Sequence, residues 1–141
     1  MPRAYLTRRV SFAAAHRYRR PEWSDARNEE VFGLCARESY HGHTYVCDVT
    51  VRGDVDRLTG FIVDLAMLDR ILTEEVKERF DHRNINVDVP EFAEGMLIPS
   101  GENIARFVFD RVGGRLPDTV TIESVTVAED STLSASYRGE K

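Results

Sequence analysis

The sequence predicts an α+β domain in which an antiparallel four-stranded sheet carries two helices on one face. Three observations predict it. Segments near both ends of the chain alternate apolar and polar residues with the period of two that a half-buried strand requires. Two central segments instead repeat apolar residues at three- and four-residue spacing, as amphipathic helices do. Read in order, the elements run strand, strand, helix, helix, strand, strand, without repeat, low-complexity tract or linker. One domain spanning residues 1–141 is therefore expected.

Residues 3–15, rich in Tyr, Leu, Val and Phe, form the first expected strand. A polar stretch through Pro21, Trp23, Ser24 and Asn28 follows as loop, with room for a helical turn. The run HGHTYVCDVTV from His41 to Val51 is the second strand. Alternation sets His41, His43, Tyr45, Cys47, Val49 and Val51 on one side of it. Asp64 is placed to cap a helix whose apolar stripe is Leu65, Leu68, Leu72, Val76 and Phe80. A loop over 81–99 leads to Ser100, the cap of a second helix with Ile104, Phe107, Val108 and Val112 inward, closed by Gly113 and Gly114. Residues 119–129 and 132–138 complete the sheet through a turn at Asp130 and Ser131. Its uncovered face and open edges invite pairing between identical chains.

Composition narrows the function. Nineteen basic residues against 24 acidic ones give a net charge of −5, which argues against a surface that works by neutralising nucleic-acid phosphates. Arg3, Arg8, Arg9, Arg17, Arg19 and Arg20 nevertheless cluster early, where they could attract a small polyphosphate. No apolar run approaches the ~20 residues of a membrane span, and the N-terminus has no secretory pattern, so a cytoplasmic location is expected. Two cysteines in that compartment read as free thiols.

The chemistry gathers around histidine. His41 and His43 stand two apart on a strand, so both rings point the same way, and His16 ends the neighbouring strand. Three imidazoles that leave a fourth position open are the ligand set of a catalytic zinc ion. Cys35, six residues before His41, could be a fourth ligand or a base; Cys47, in an apolar strand, reads as core. Asp81 and His82 are adjacent and could steer a proton. Glu129, where the third strand meets its turn, could hold a guanidine-like ring edge by two parallel hydrogen bonds. Glu102 lies in the first turn of the second helix, where an acid complements the helix dipole.

Taken together and in order, SFAAAH, FGLC, HGHTY, GFIVDLAMLD, FDHRNIN, ENIA and the late Glu129 resemble the 6-pyruvoyl-tetrahydropterin synthases over nearly the whole chain. The six positions from Cys35 to His41 look more like the pyruvoyl enzymes than the related 6-carboxy-tetrahydropterin synthases of queuosine biosynthesis, which often have four. The resemblance implies Zn2+ held by His16, His41 and His43, with Cys35 as base and Asp81 and His82 completing the catalytic group. It implies Glu129 as pterin anchor, and Glu102 and Ser100 as further substrate contacts. Ser100 and Gly101 stand where threonine is usual.

The resemblance further implies the tunnelling fold, in which trimers close their sheets into barrels and two barrels stack as a homohexamer with active sites between subunits. The implied activity is a lyase that takes 7,8-dihydroneopterin triphosphate, expels triphosphate and forms 6-pyruvoyl-tetrahydropterin, on the route to tetrahydrobiopterin. The 6-carboxy product from the same substrate is the alternative, and a non-catalytic pterin- or metal-binding member is another.

Overall fold

The computed structural model describes residues 2–140. Two long strands, β1 (Arg3–His16) and β2 (His41–Asp54), form its spine and pair antiparallel from Arg3 opposite Asp54 to His16 opposite His41. A two-residue strand, β3 (Arg83–Asn84), runs parallel to the outer edge of β1. Beyond β2 lie β4 (Val120–Asp130) and β5 (Leu133–Tyr137), so the sheet order is β3-β1-β2-β4-β5. Five strands thus stand where the sequence predicts four. The added strand, β3, is two residues long and carries no alternation, so nothing in its composition announces it.

Alternation places Phe12, Ala14 and His16 of β1 on the same buried face as Tyr45, Cys47, Val49 and Val51 of β2 and Val125 and Val127 of β4. The opposite face is polar. There Thr7 meets Thr50 at 2.7 Å, Arg9 pairs with Asp48, and Thr126 meets Ser136 at 2.7 Å.

The predicted loop after β1 contains a helix of two turns, α1 (Asp25–Phe32), whose first turn is capped by the Ser24 hydroxyl accepting from Arg27 N–H, and a 3-10 turn, Gly33–Ala36. Asp64 caps α2 (Leu65–Leu72), its carboxylate accepting from the N–H groups of Ala66 and Met67 at 3.0 and 3.4 Å. Leu68, Leu72, Val76 and Phe80 repeat every four residues, slower than the helical 3.6, and would drift about 40° per step off the core in a straight helix. A π turn over Thr73–Lys77 absorbs that drift before a last turn, α3 (Glu78–Phe80), and all four side chains are buried. Leu65, predicted to share the stripe, is exposed.

The 81–99 segment, expected to be loop, also holds a single turn, α4 (Ile85–Asp88), and a 3-10 turn, Pro90–Phe92. Ser100 caps α5 (Gly101–Gly113), accepting from Asn103 N–H at 3.2 Å. The ending at Gly113 and Gly114 has a packing cause: Gly114 keeps right-handed φ, while a Cβ on Gly113 would lie 2.9 Å from Ile122 Cγ2. The helices share one core with the sheet. The Phe80 ring packs on Phe12 at 5.1 Å and on Phe107 of α5 at 5.8 Å, so one aromatic cluster joins β1, α3 and α5. No helix among the described residues is long and apolar enough to cross a membrane.

Candidate active site

Strand pairing brings the three histidines together. His16 and His41 are direct cross-strand partners, and His43 lies opposite Ala14 on the same face. The close approach needs Gly42, where a Cβ would press to 3.2 Å on the Ala14 carbonyl oxygen. The ring centroids lie 4.7–5.1 Å apart, and one ligand atom from each residue falls within 4.8 Å of the others.

Nε2 of His16 and Nε2 of His41 are 3.1 Å apart. Two imidazole lone pairs do not face each other at that distance without a proton or a cation between them. A tetrahedral ion with Zn–N of ~2.0–2.1 Å would separate two nitrogens by about 3.3 Å, close to the spacing present. His43 Nε2 is buried with no hydrogen-bond partner among the described residues. An orphaned donor atom beside two converging ones fits a metal ion.

The rings are set from behind. Nδ1 of His16 faces the Pro99 carbonyl oxygen at 3.1 Å and the Tyr45 hydroxyl at 2.8 Å. A carbonyl can only accept, so Nδ1 carries the proton and Nε2 presents its lone pair to the cluster. Burial first, then the neighbouring His41 and His43, push the His16 pKa down to about 3, which keeps the ring neutral and able to ligate. His41 is shifted the same way by burial and His43, against the pull of Glu129.

Glu129 and Cys35 border the cluster. Glu129, near the end of β4, sets Oε2 3.8 Å from His43 Nε2 and accepts the Tyr18 hydroxyl at Oε1 over 3.1 Å. Cys35 sits in the 3-10 turn after α1, half-buried, and its carbonyl accepts from Tyr18 N–H at 2.7 Å. Burial and then the Glu129 carboxylate raise the thiol pKa. Within one chain, burial and a negative neighbour both disfavour the thiolate. Cys47 is fully buried in the core.

Asp81 and His82 stand apart from this group. Asp81 accepts from Ala13 N–H at 2.9 Å and lies 3.0 Å from His82 Nδ1, and these two contacts, the first the larger, hold its pKa below the usual carboxylate range. The His82 side chain is 84% exposed. Its backbone takes φ 59°, a left-handed conformation that L-residues rarely adopt, and its N–H donates to Ala13 O at 2.6 Å. It has no hydrogen bond to the triad or Cys35 among the described residues. Ser100 spends its acceptor on the cap of α5, and Glu102 in the first turn of that helix is exposed.

Tyr18 and Tyr45 contact the site without having been expected to. Tyr45 continues the alternation of His41 and His43, and Tyr18 continues that of His16; parity was the signal for both.

A family model described as 6-pyruvoyl tetrahydropterin synthase matches residues 5–140. The 6-pyruvoyl tetrahydrobiopterin synthase of Drosophila melanogaster is 39% identical over 139 residues, covering 98% of this chain and 81% of that protein. The Homo sapiens protein of the same name is 36% identical over 137 residues, covering 97% and 92%. The solved structure of Caenorhabditis elegans 6-pyruvoyl tetrahydropterin synthase superposes with a TM-score of 0.91 at 34% identity, covering 99% of this chain and 98% of that one.

Proposed function

Because the chain belongs to the 6-pyruvoyl tetrahydropterin synthase family, we propose that it converts 7,8-dihydroneopterin triphosphate to 6-pyruvoyl-tetrahydropterin with loss of triphosphate. The observation that carries this reading is the convergence of His16, His41 and His43 beside Glu129 and a half-buried Cys35.

Each residue has a role the chemistry needs. His16, His41 and His43 hold zinc, which supplies a Lewis acid for the oxygens of the substrate side chain and a positive charge that favours the thiolate. Glu129 accepts from the 2-amino group and adjacent N–H of the pterin, a two-donor edge that matches a carboxylate. This sets the side chain of the substrate toward the triad. Cys35 takes the proton from the side-chain carbon. Elimination of triphosphate follows, and His82, oriented by Asp81, returns a proton during tautomerisation. Ser100 and Glu102 complete the pocket.

The exposure of His82, which makes no hydrogen bond to the triad or Cys35 among the described residues, supports a site shared between subunits. We infer a homohexamer, a dimer of trimers whose sheets close into barrels with the polar face inward, acting as a single-domain cytoplasmic enzyme. Light scattering checks this: six chains of 16.1 kDa are expected, and a stable monomer with full activity would overturn it.

The activity is tested by mixing the purified chain with 7,8-dihydroneopterin triphosphate and identifying products by mass. Inorganic triphosphate and 6-pyruvoyl-tetrahydropterin are expected. A 6-carboxy product with release of a two-carbon aldehyde would assign the chain to the alternative reaction, and no product would refute catalysis of either kind.

A further inference from the structure

We propose that Tyr18 is a positioning residue that fixes the carboxylate of Glu129 relative to the histidine triad; the proposal rests on reading Glu129 as the ring anchor. Tyr18 is held at three points. Its N–H donates to the Cys35 carbonyl at 2.7 Å. Its ring meets the His16 ring edge-on at 4.8 Å and the Phe32 ring at 5.8 Å, with Phe32 in turn stacked on Trp23. Its hydroxyl donates to Glu129 Oε1 at 3.1 Å. One residue therefore touches a triad histidine, the segment bearing the thiol and the anchor.

The consequence concerns orientation. Among the described residues the Tyr18 hydroxyl is the one side-chain hydrogen-bond donor to Glu129. A glutamate carboxylate turns readily about its last torsion, whereas a two-donor ring edge needs both oxygens in its own plane. Fixing Oε1 from a ring wedged between His16 and Phe32 presets that plane before the ligand arrives and spares part of the ordering cost. Oε1 keeps a second lone pair for the ligand, so the two hydrogen bonds do not compete. The tyrosine makes no bond to the reacting atoms in this reading. Its effect passes through Glu129.

Tyr18→Phe tests this, because it keeps the ring packing and the backbone bond and removes only the hydroxyl. Neopterin, which carries the ring edge without phosphate, is titrated against the unmodified chain, Tyr18→Phe, Glu129→Gln and the double variant. Metal content and thermal midpoint are measured in parallel. Tyr18→Phe is expected to bind neopterin about three- to tenfold more weakly with metal content unchanged. In the Glu129→Gln background the same change is expected to cost nothing further, which a merely structural role would not produce. Unaltered binding by Tyr18→Phe, or additive losses in the double variant, would overturn the proposal while leaving the anchor in place. Unaltered binding by Glu129→Gln would overturn the anchor reading, and this proposal with it.

Discussion

The Tyr45 hydroxyl lies 2.8 Å from Nδ1 of His16, on the side of the ring away from the triad. Together with the Pro99 carbonyl it fixes which nitrogen carries the proton and how the ring is turned. Both groups are buried, so water does not readily replace a lost partner. Tyr45→Phe should therefore keep the fold but weaken metal binding by about tenfold. Competition against a chelator of known affinity measures this, and an unchanged zinc affinity would show that Pro99 alone suffices.

His41→Ala removes one of three converging nitrogens and opens the pair that stands 3.1 Å apart. Two imidazoles are a poor site for zinc, so metal content by elemental analysis should fall to background and turnover with it. A full metal complement in His41→Ala would remove this residue from the ligand set.

Cys35→Ala should separate binding from chemistry. The thiol stands outside the three-histidine group, so zinc content and neopterin affinity are expected to stay near those of the unmodified chain. Turnover should drop by at least about a hundredfold through loss of the proton acceptor. Loss of zinc in Cys35→Ala would instead make the cysteine a ligand.

Glu75 provides a stability test far from the chemistry. Its side chain, 10% exposed in the π turn, accepts from Arg79 at 3.0 Å, Arg111 at 3.2 Å and Arg115 at 2.9 Å, and so ties that turn to α3, to α5 and to the residues after it. Glu75→Gln should cost about 2 kcal/mol in urea denaturation at neutral pH, since Arg79 and Arg111 lose their counter-charge and Arg115 keeps only Glu74. Burial opposes ionisation of Glu75, yet the arginines prevail and its pKa is lowered. A carboxylate with a folded pKa below its unfolded one stabilises fully above ~4.5 and loses that contribution as pH falls further. The acid limb of the stability profile should therefore be shallower in Glu75→Gln than in the unmodified chain.

Much of the fold was legible because periodicity and caps are local. The alternation of β1 and β2, the Asp64 and Ser100 caps and the apolar stripes of α2 and α5 all follow from spacing that backbone geometry imposes within a few residues. The strand parity of His41 and His43 was legible for the same reason. The two-residue β3 and the π turn were not, and α1 was legible only as room for a helical turn, because a short polar helix has no strong stripe and a single strand bridge exists only by contact with another element.

The sequence by itself determined that two imidazoles, His41 and His43, point to one side of a sheet, since an H-x-H pair on a strand has no other choice once the strand forms, and the pairing with β1 then brought His16 to them. Tertiary structure alone decided what surrounds them. The Pro99 carbonyl reaches His16 across 83 residues and the Tyr18 hydroxyl reaches Glu129 across 111. Ala13 holds Asp81 through its N–H and the His82 N–H through its carbonyl, and leaves the His82 side chain exposed. Such relations depend on how the elements pack in three dimensions, and no local rule of spacing encodes them, because separation along a chain does not fix distance in a packed core.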